Sequence, residues 1–251
     1  MDNSILIKKY KNSVTRKYIY VSNDEIDTIQ KGDYWLSKKI DGQLWFYCKS
    51  SKNSKIINSN ENDISNLVKD IKKDLDKKLS KSNNIILAGE LYFLTKDRER
   101  YGDTISGLGD NSKKKNLRLG IFDVVASDKF SINFEKKYNF LKKTLGKNLK
   151  DFSHVLEHKK IKQNDINKLF KEIVVKNNAE GLIIKNNSVV YKIKKEETAD
   201  LLVTGYTLGS RPNQIRSISL GIFLNEKEIM HVGSCGNIPT NLRKDLYKKL
   251  V

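Results

Sequence analysis

Only two cysteines, Cys48 and Cys235, occur in 251 residues, far apart and without the paired Cys/His sets of a zinc site. Neither a disulfide framework nor a zinc site is supported, and both thiols are expected to be reduced. Apolar runs are short. None approaches the ~20 residues of a membrane-spanning helix, and Met1 to Tyr20 is polar and basic without an apolar centre, so no signal peptide or transmembrane segment is expected. A cytoplasmic or nucleoid-associated protein is the expectation. There is no internal repeat and no long linker. Acidic residues are outnumbered, 30 Asp and Glu against 48 Lys and Arg, which leaves a formal charge of +18. Such a field suits a polyanion such as nucleic acid and makes binding salt-dependent. Lys, Asn and Ile are abundant throughout, so an AT-rich genome is a second origin for the same charge.

Hydrophobic spacing divides the chain into a mixed α+β series. Tyr34-Trp35-Leu36 and Leu44 to Cys48 read as two strands joined through Lys39-Ile40-Asp41-Gly42. Ile64, Leu67, Val68, Ile71, Leu75 and Leu79 recur at helical spacing and predict a helix over 63–80. A buried strand at 85–93 precedes a polar, Gly-containing stretch, 96–116, expected to be a long loop or insertion. A strand at 117–125 follows. Helical spacing returns from Phe134 to Leu145, closed by Gly146, and again from Ile166 to Val174. Strands at 181–185 and 189–193 complete a first domain, 1–197. A second, 198–251, reads as three strands and a helix over 239–250.

Five short motifs lie on this frame in order. They are Lys39-Ile40-Asp41-Gly42, Gly89-Glu90-Leu91, Phe122-Asp123-Val124-Val125, Glu180-Gly181-Leu182-Ile183-Ile184-Lys185 and Lys192-Ile193-Lys194. Each alone is weak in a lysine-rich chain: Lys39 reads as a surface lysine, Asp41-Gly42 as a hairpin turn, and Phe122 as core. Glu90 differs, because a charge between Leu87 and Leu91 in an apolar strand needs a partner. Lys192 and Lys194 alternate on a strand and share one face.

The ordered set resembles the covalent nucleotidyltransferases: ATP-dependent DNA and RNA ligases and mRNA capping enzymes. The segments 199–209, 219–223 and 231–236 resemble the start of the OB domain of ATP-dependent DNA ligases, which tilts the resemblance toward DNA. It implies a nucleotidyltransferase domain of antiparallel sheets flanked by helices, then a small, short OB-type β-barrel. It also implies ATP with Mg²⁺ or Mn²⁺, and a monomer acting on nicked duplex DNA, RNA or an RNA/DNA hybrid. By the same resemblance Lys39 is the nucleophile that takes AMP, and Asp41 and Gly42 form the turn beside the nucleotide sugar or strand end. Glu90 would bond the ribose hydroxyls and, with Glu180, provide metal-ligating carboxylates. Phe122 would stack on the purine, Lys185 would assist from the strand after Glu180, and Lys192 and Lys194 would hold the α-phosphate.

Two departures mark the chain. Leu44 stands where DNA ligases usually carry an arginine, and only twelve residues separate Glu180 from Lys192, a spacing closer to some RNA ligases. An RNA ligase of end-repair type is therefore the alternative reading, and a non-catalytic nucleic-acid-binding relative is a third. The tail is short, with Arg243-Lys244-Asp245 reading as helix surface, and the rest of an OB barrel is either absent, rebuilt from residues 1–33 or supplied by a partner protein.

Overall fold

The computed structural model describes residues 3–51, 53–127, 133–196 and 198–251. The expected boundary at 197/198 touches residue 197, which lies outside them. The elements in chain order are α1 (Asn3–Ser13), β1 (Ile19–Ser22), β2 (Asp33–Lys39), β3 (Gln43–Lys49), β4 (Ser54–Ile57), α2 (Lys69–Lys78), β5 (Ile85–Phe93), α3 (Tyr101–Gly109), β6 (Leu117–Ser127), α4 (Phe134–Leu145), β7 (Ser153–Val155), β8 (Lys159–Lys162), α5 (Ile166–Phe170), β9 (Gly181–Lys185), β10 (Val190–Lys194), β11 (Leu202–Leu208), β12 (Ile215–Asn225), β13 (Glu228–Cys235) and α6 (Thr240–Leu250). They fall into two compact units, Met1–Glu196 and Glu197–Val251.

The first unit holds two five-stranded sheets, ordered β1-β10-β9-β2-β8 and β4-β3-β5-β6-β7. Most pairs are antiparallel, as expected, but β1 joins β10 and β6 joins β7 in parallel. Lys39 and Gly42 bound the crossing between the sheets. β2 pairs with β8 and β9, whereas β3 pairs with β4 and β5, so the two strands read from sequence do not form a hairpin with each other. Three residues, Ile40 to Gly42, carry the chain from one sheet to the other.

Period-two alternation gives the second sheet two apolar faces. Trp45, Tyr47, Leu87, Leu91, Leu119 and Ile121 pack with Ile71 and Leu75 of α2 and Leu141 of α4. On the opposite face Phe46, Cys48, Ile86 and Ala88 pack with Ile7 and Tyr10 of α1. The first sheet is covered by Ile166 and Phe170 of α5, packed on Leu36, Leu182, Ile184 and Ile193.

Three expectations need correction. Residues 1–33, offered as completing an OB barrel, belong to the first unit instead: β1 joins β10, and Ile7 and Tyr10, one turn apart, bury against the second sheet a stripe that composition averages away. The stretch 96–116 contains α3, whose Gly102, Gly107 and Gly109 lower its intrinsic helix signal. Thr104 anchors it, fully buried, by accepting the Phe93 backbone N–H at 3.2 Å. The helix foreseen over 63–80 begins only at Lys69. Ahead of it the Asp63 carboxylate accepts from the Ser65 N–H at 2.8 Å and the Ser65 hydroxyl accepts from the Ile56 N–H at 2.9 Å. Side-chain bonds of this kind compete with the helical ladder.

In the second unit β11-β12-β13 form an antiparallel sheet followed by α6. No closed barrel is formed among the described residues. Arg243 uses its guanidinium to bond the Ile238 and Gly236 carbonyls at 2.7 and 3.0 Å, which ties α6 to the loop before it. No helix among the described residues is long and apolar enough to cross a membrane.

Leu87 is fully buried at the centre of the second sheet. Leu87→Ala is expected to lower unfolding free energy by about 2–5 kcal/mol in chemical denaturation.

Candidate active site

Register explains how distant motifs meet. Lys39 on β2 and Lys194 on β10 are both paired with Gly181, the first residue of β9. Glu180, immediately before Gly181, therefore lies between two lysines contributed by flanking strands. Lys39 Nζ donates to Glu180 Oε2, and Lys194 Nζ lies 2.5 Å from Oε1, so each carboxylate oxygen has its own ammonium partner. The Glu180 side chain is only 8% exposed. Burial pushes its carboxyl up, but the hydrogen bonds from Lys194 and Lys39 outweigh this and hold it below its ordinary value.

Lys39 opens onto a cleft of about 640 Å³ that Glu90, Phe122, Lys185 and Lys192 also line. Asp41, Gly42, Glu180 and Lys194 do not line it. Glu180 and Lys194 connect to it through Lys39, and Asp41 acts on Glu90 through charge. Gly42 is required by space: a Cβ there would stand 2.3 Å from the Leu91 carbonyl oxygen, so only glycine lets the crossing segment lie against β5.

Glu90 belongs to the face of β5 that carries Ile86 and Ala88. Burial is the main reason its carboxyl is pushed up to about 7, with Lys39 and Lys192 opposing and Glu180 and Asp41 reinforcing. The Lys192 ammonium sits 4.3 Å from the centroid of the Tyr18 ring, and burial followed by repulsion from Lys39 lowers its pKa. Phe122 is half-buried, packed against the cluster under α1 while also facing the cleft, so the core and ligand readings of this aromatic are compatible. Lys185 lies four residues along β9 from Gly181. Its ammonium is 3.6 Å from the Phe134 ring centroid, and burial draws it down to about 8.

Leu44 pairs with Glu90 across β3 and β5 and packs against the cluster containing Ile7 and Tyr10. An apolar side chain suits that setting, which accounts for the missing arginine at the level of packing. Sequence reasoning missed Tyr10, Tyr18, Lys137, His158 and the role of Asp123. Asp123 accepts from the Tyr10 hydroxyl at 2.9 Å and pairs with Lys137 at 3.4 Å, and all five residues line the cleft. Asp123 adjoins Phe122 in a recognised motif, which was a usable signal; the others sit in segments without one.

No group of three or more His, Cys, Asp or Glu side chains suited to a metal exists among the described residues. The carboxylates that could serve a metal here are two, Glu90 and Glu180. That fits Mg²⁺, which is commonly held by one or two carboxylates together with substrate phosphates and water.

The profile of the ATP dependent DNA ligase domain matches residues 17–202. The chain belongs to this family. All five motifs fall inside the matched span. No curated protein matches the chain. Among solved structures, Pmar-Lig_Pre is 15% identical with a TM-score of 0.65, over 97% of this chain and 63% of that one. A Lig E DNA ligase is 14% identical with a TM-score of 0.61, over 91% and 87%. A mycobacterial DNA ligase D complexed with ATP and MES is 13% identical with a TM-score of 0.54, over 94% and 78%. At these identities the likeness is one of fold. The chain spans less than two thirds of the length of Pmar-Lig_Pre.

Glu90 yields a pH prediction. In the folded chain its carboxyl keeps a proton up to about pH 7, against an ordinary value of 4.5. The folded state thus binds more protons between those values, and wild-type stability contains a term that declines as pH rises through the window. Glu90→Gln lacks that term. Denaturation series from pH 4.5 to 7 should show the variant gaining on wild type with rising pH; a constant difference would contradict the assignment.

Proposed function

We propose that this chain is an ATP-dependent polynucleotide ligase that seals 5′-phosphate/3′-hydroxyl nicks in duplex DNA through a lysyl-AMP intermediate. The observation that carries the reading is the Lys39–Glu180–Lys194 array, whose Lys39 lines the cleft together with Lys192 and Glu90. Lys39 is the nucleophile. It reacts as the free amine, so it must exchange Glu180 for the α-phosphate of ATP. A phosphorus–nitrogen bond then forms, the bond to the β-phosphate oxygen breaks, and pyrophosphate leaves.

Lys192 and Lys194 share one face of β10 and stand where charge grows on the α-phosphate oxygens, the position in which fixed cations lower a barrier. Glu180 and Glu90 would hold Mg²⁺ or Mn²⁺, which neutralises phosphate charge when bound. Phe122 offers a flat apolar surface to the purine and Lys185 a donor further along the cleft, while Asp41 and Gly42 place Lys39 by fixing the turn between the sheets. AMP next passes from Lys39 to the 5′-phosphate of the nick. The 3′-hydroxyl then attacks that phosphate, a phosphodiester forms, and AMP departs. The net charge of +18 favours a nucleic-acid partner. A monomer with a short OB-type second domain remains part of this proposal.

RNA ligation is the second reading, favoured by Leu44 in its apolar setting in place of an arginine. Incubation with α-labelled ATP and Mg²⁺, followed by denaturing electrophoresis, should give an acid-labile label on the wild type. Lys39→Ala should abolish it, and Lys192→Ala should lower its rate at least about 100-fold. Sealing of matched DNA and RNA nicks then assigns the substrate: a strong preference for RNA ends would replace the DNA reading. A wild type that never labels, even after pyrophosphate treatment, would leave a nucleic-acid-binding relative.

A further inference from the structure

The cleft extends well past Lys39. Lys39 is paired with Gly181 and Trp35 with Lys185, so Lys185 lies four residues, ~13 Å, farther along β9 at the usual strand rise. That is the direction and scale over which a nucleotide separates its α-phosphate from the far edge of its base. His158 is found at this far end, 5% exposed and lining the cleft with Phe134 and Lys185.

The protonation of His158 follows from its contacts. Nδ1 lies 2.9 Å from the Leu156 carbonyl oxygen, which can only accept, so Nδ1 carries the hydrogen. Burial, then the neighbouring Lys185 ammonium, lowers its pKa well below the ordinary histidine value, so the ring is neutral. Nε2 is left as a bare acceptor, and no hydrogen bond joins it to another described residue. The ring is clamped between Phe134 and Tyr138 at centroid distances of 5.0 and 5.1 Å, and the His158 backbone N–H donates to the Tyr138 hydroxyl at 3.0 Å. The acceptor is therefore held by four contacts rather than free to rotate.

We infer that His158 is a specificity-determining residue that selects adenine over 6-oxopurines, its Nε2 accepting from the exocyclic 6-amino group while Lys185 donates to a neighbouring ring nitrogen. A 6-oxopurine presents a carbonyl at that position, which sets two acceptors against each other with no proton between them. The inference rests on the nucleotide-binding reading of the cleft and adds the residue that reads the base.

The test compares ATP with inosine triphosphate in self-labelling, and AMP with inosine monophosphate in equilibrium binding. Wild type should favour the adenine form by roughly 10- to 100-fold, the range expected for an acceptor left unpaired. His158→Leu should bring that ratio to within about threefold of unity, chiefly by raising KM for ATP with kcat for labelling little changed. His158→Gln, which keeps a carbonyl acceptor, should retain most of the preference. Thermal melts check folding of each variant. The wild-type ratio needs no variant, and equal use of both purines overturns the inference, as does a folded His158→Leu that keeps its preference. Binding of AMP without labelling would overturn the ligase reading and leave the base preference measurable; no binding of either monophosphate would overturn both.

Discussion

Glu180 holds one negative charge between two ammonium groups drawn from strands on either side of it, and the candidate site is organised about that contact. It exists because β2, β9 and β10 are hydrogen-bonded in a register that aligns Lys39, Gly181 and Lys194. A slip of one residue in either pairing would send the corresponding lysine to the other face of the sheet, since side chains alternate along a strand. The apolar side chains of Leu182, Ile184 and Ile193 guard against such a slip, because the same shift would expose them. Packing of the first sheet on α5 thereby fixes the position of charges that take no part in the packing.

The second sheet contributes by confinement. Its crossing from β2 through Ile40–Gly42 sets Glu90 and Phe122 opposite Lys39, and α1 closes over the same face. Confinement changes the titratable groups in opposite senses: burial raises the Glu90 carboxyl, lowers Lys185 and Lys192, and keeps His158 neutral. The cleft thus offers groups whose protonation differs from that of the same side chains in water. Such tuning is frequent where proton or phosphate chemistry is carried out.

Much of this was legible before the fold was known. The strands bearing Lys39, Glu90, Phe122 and Lys192, and the one that Glu180 precedes, were marked by short apolar runs with turn residues between them, and α4 by its heptad-like spacing and Gly146. Less visible were α1, whose Ile7 and Tyr10 are diluted by lysine, and α3, whose glycines mask a buried face. The foreseen helix start at Asp63 failed because Asp63 and Ser65 satisfy backbone groups with their own side chains. Tyr18 and His158 had no local signature, since an aromatic or histidine outside a motif reads as core.

By itself the sequence determined the order of chemically competent residues, the alternation that makes each strand two-faced, and the excess positive charge. These are properties of neighbours along the chain. Only the tertiary structure decided that β2 and β3 part into separate sheets, that Glu180 serves two lysines at once, and that Leu44 lies in apolar company. It also decided that a histidine more than a hundred residues from Lys39 shares its cleft. Strand pairing and burial join residues distant in sequence, and the free energy that selects one pairing over another comes from the whole core rather than from any motif.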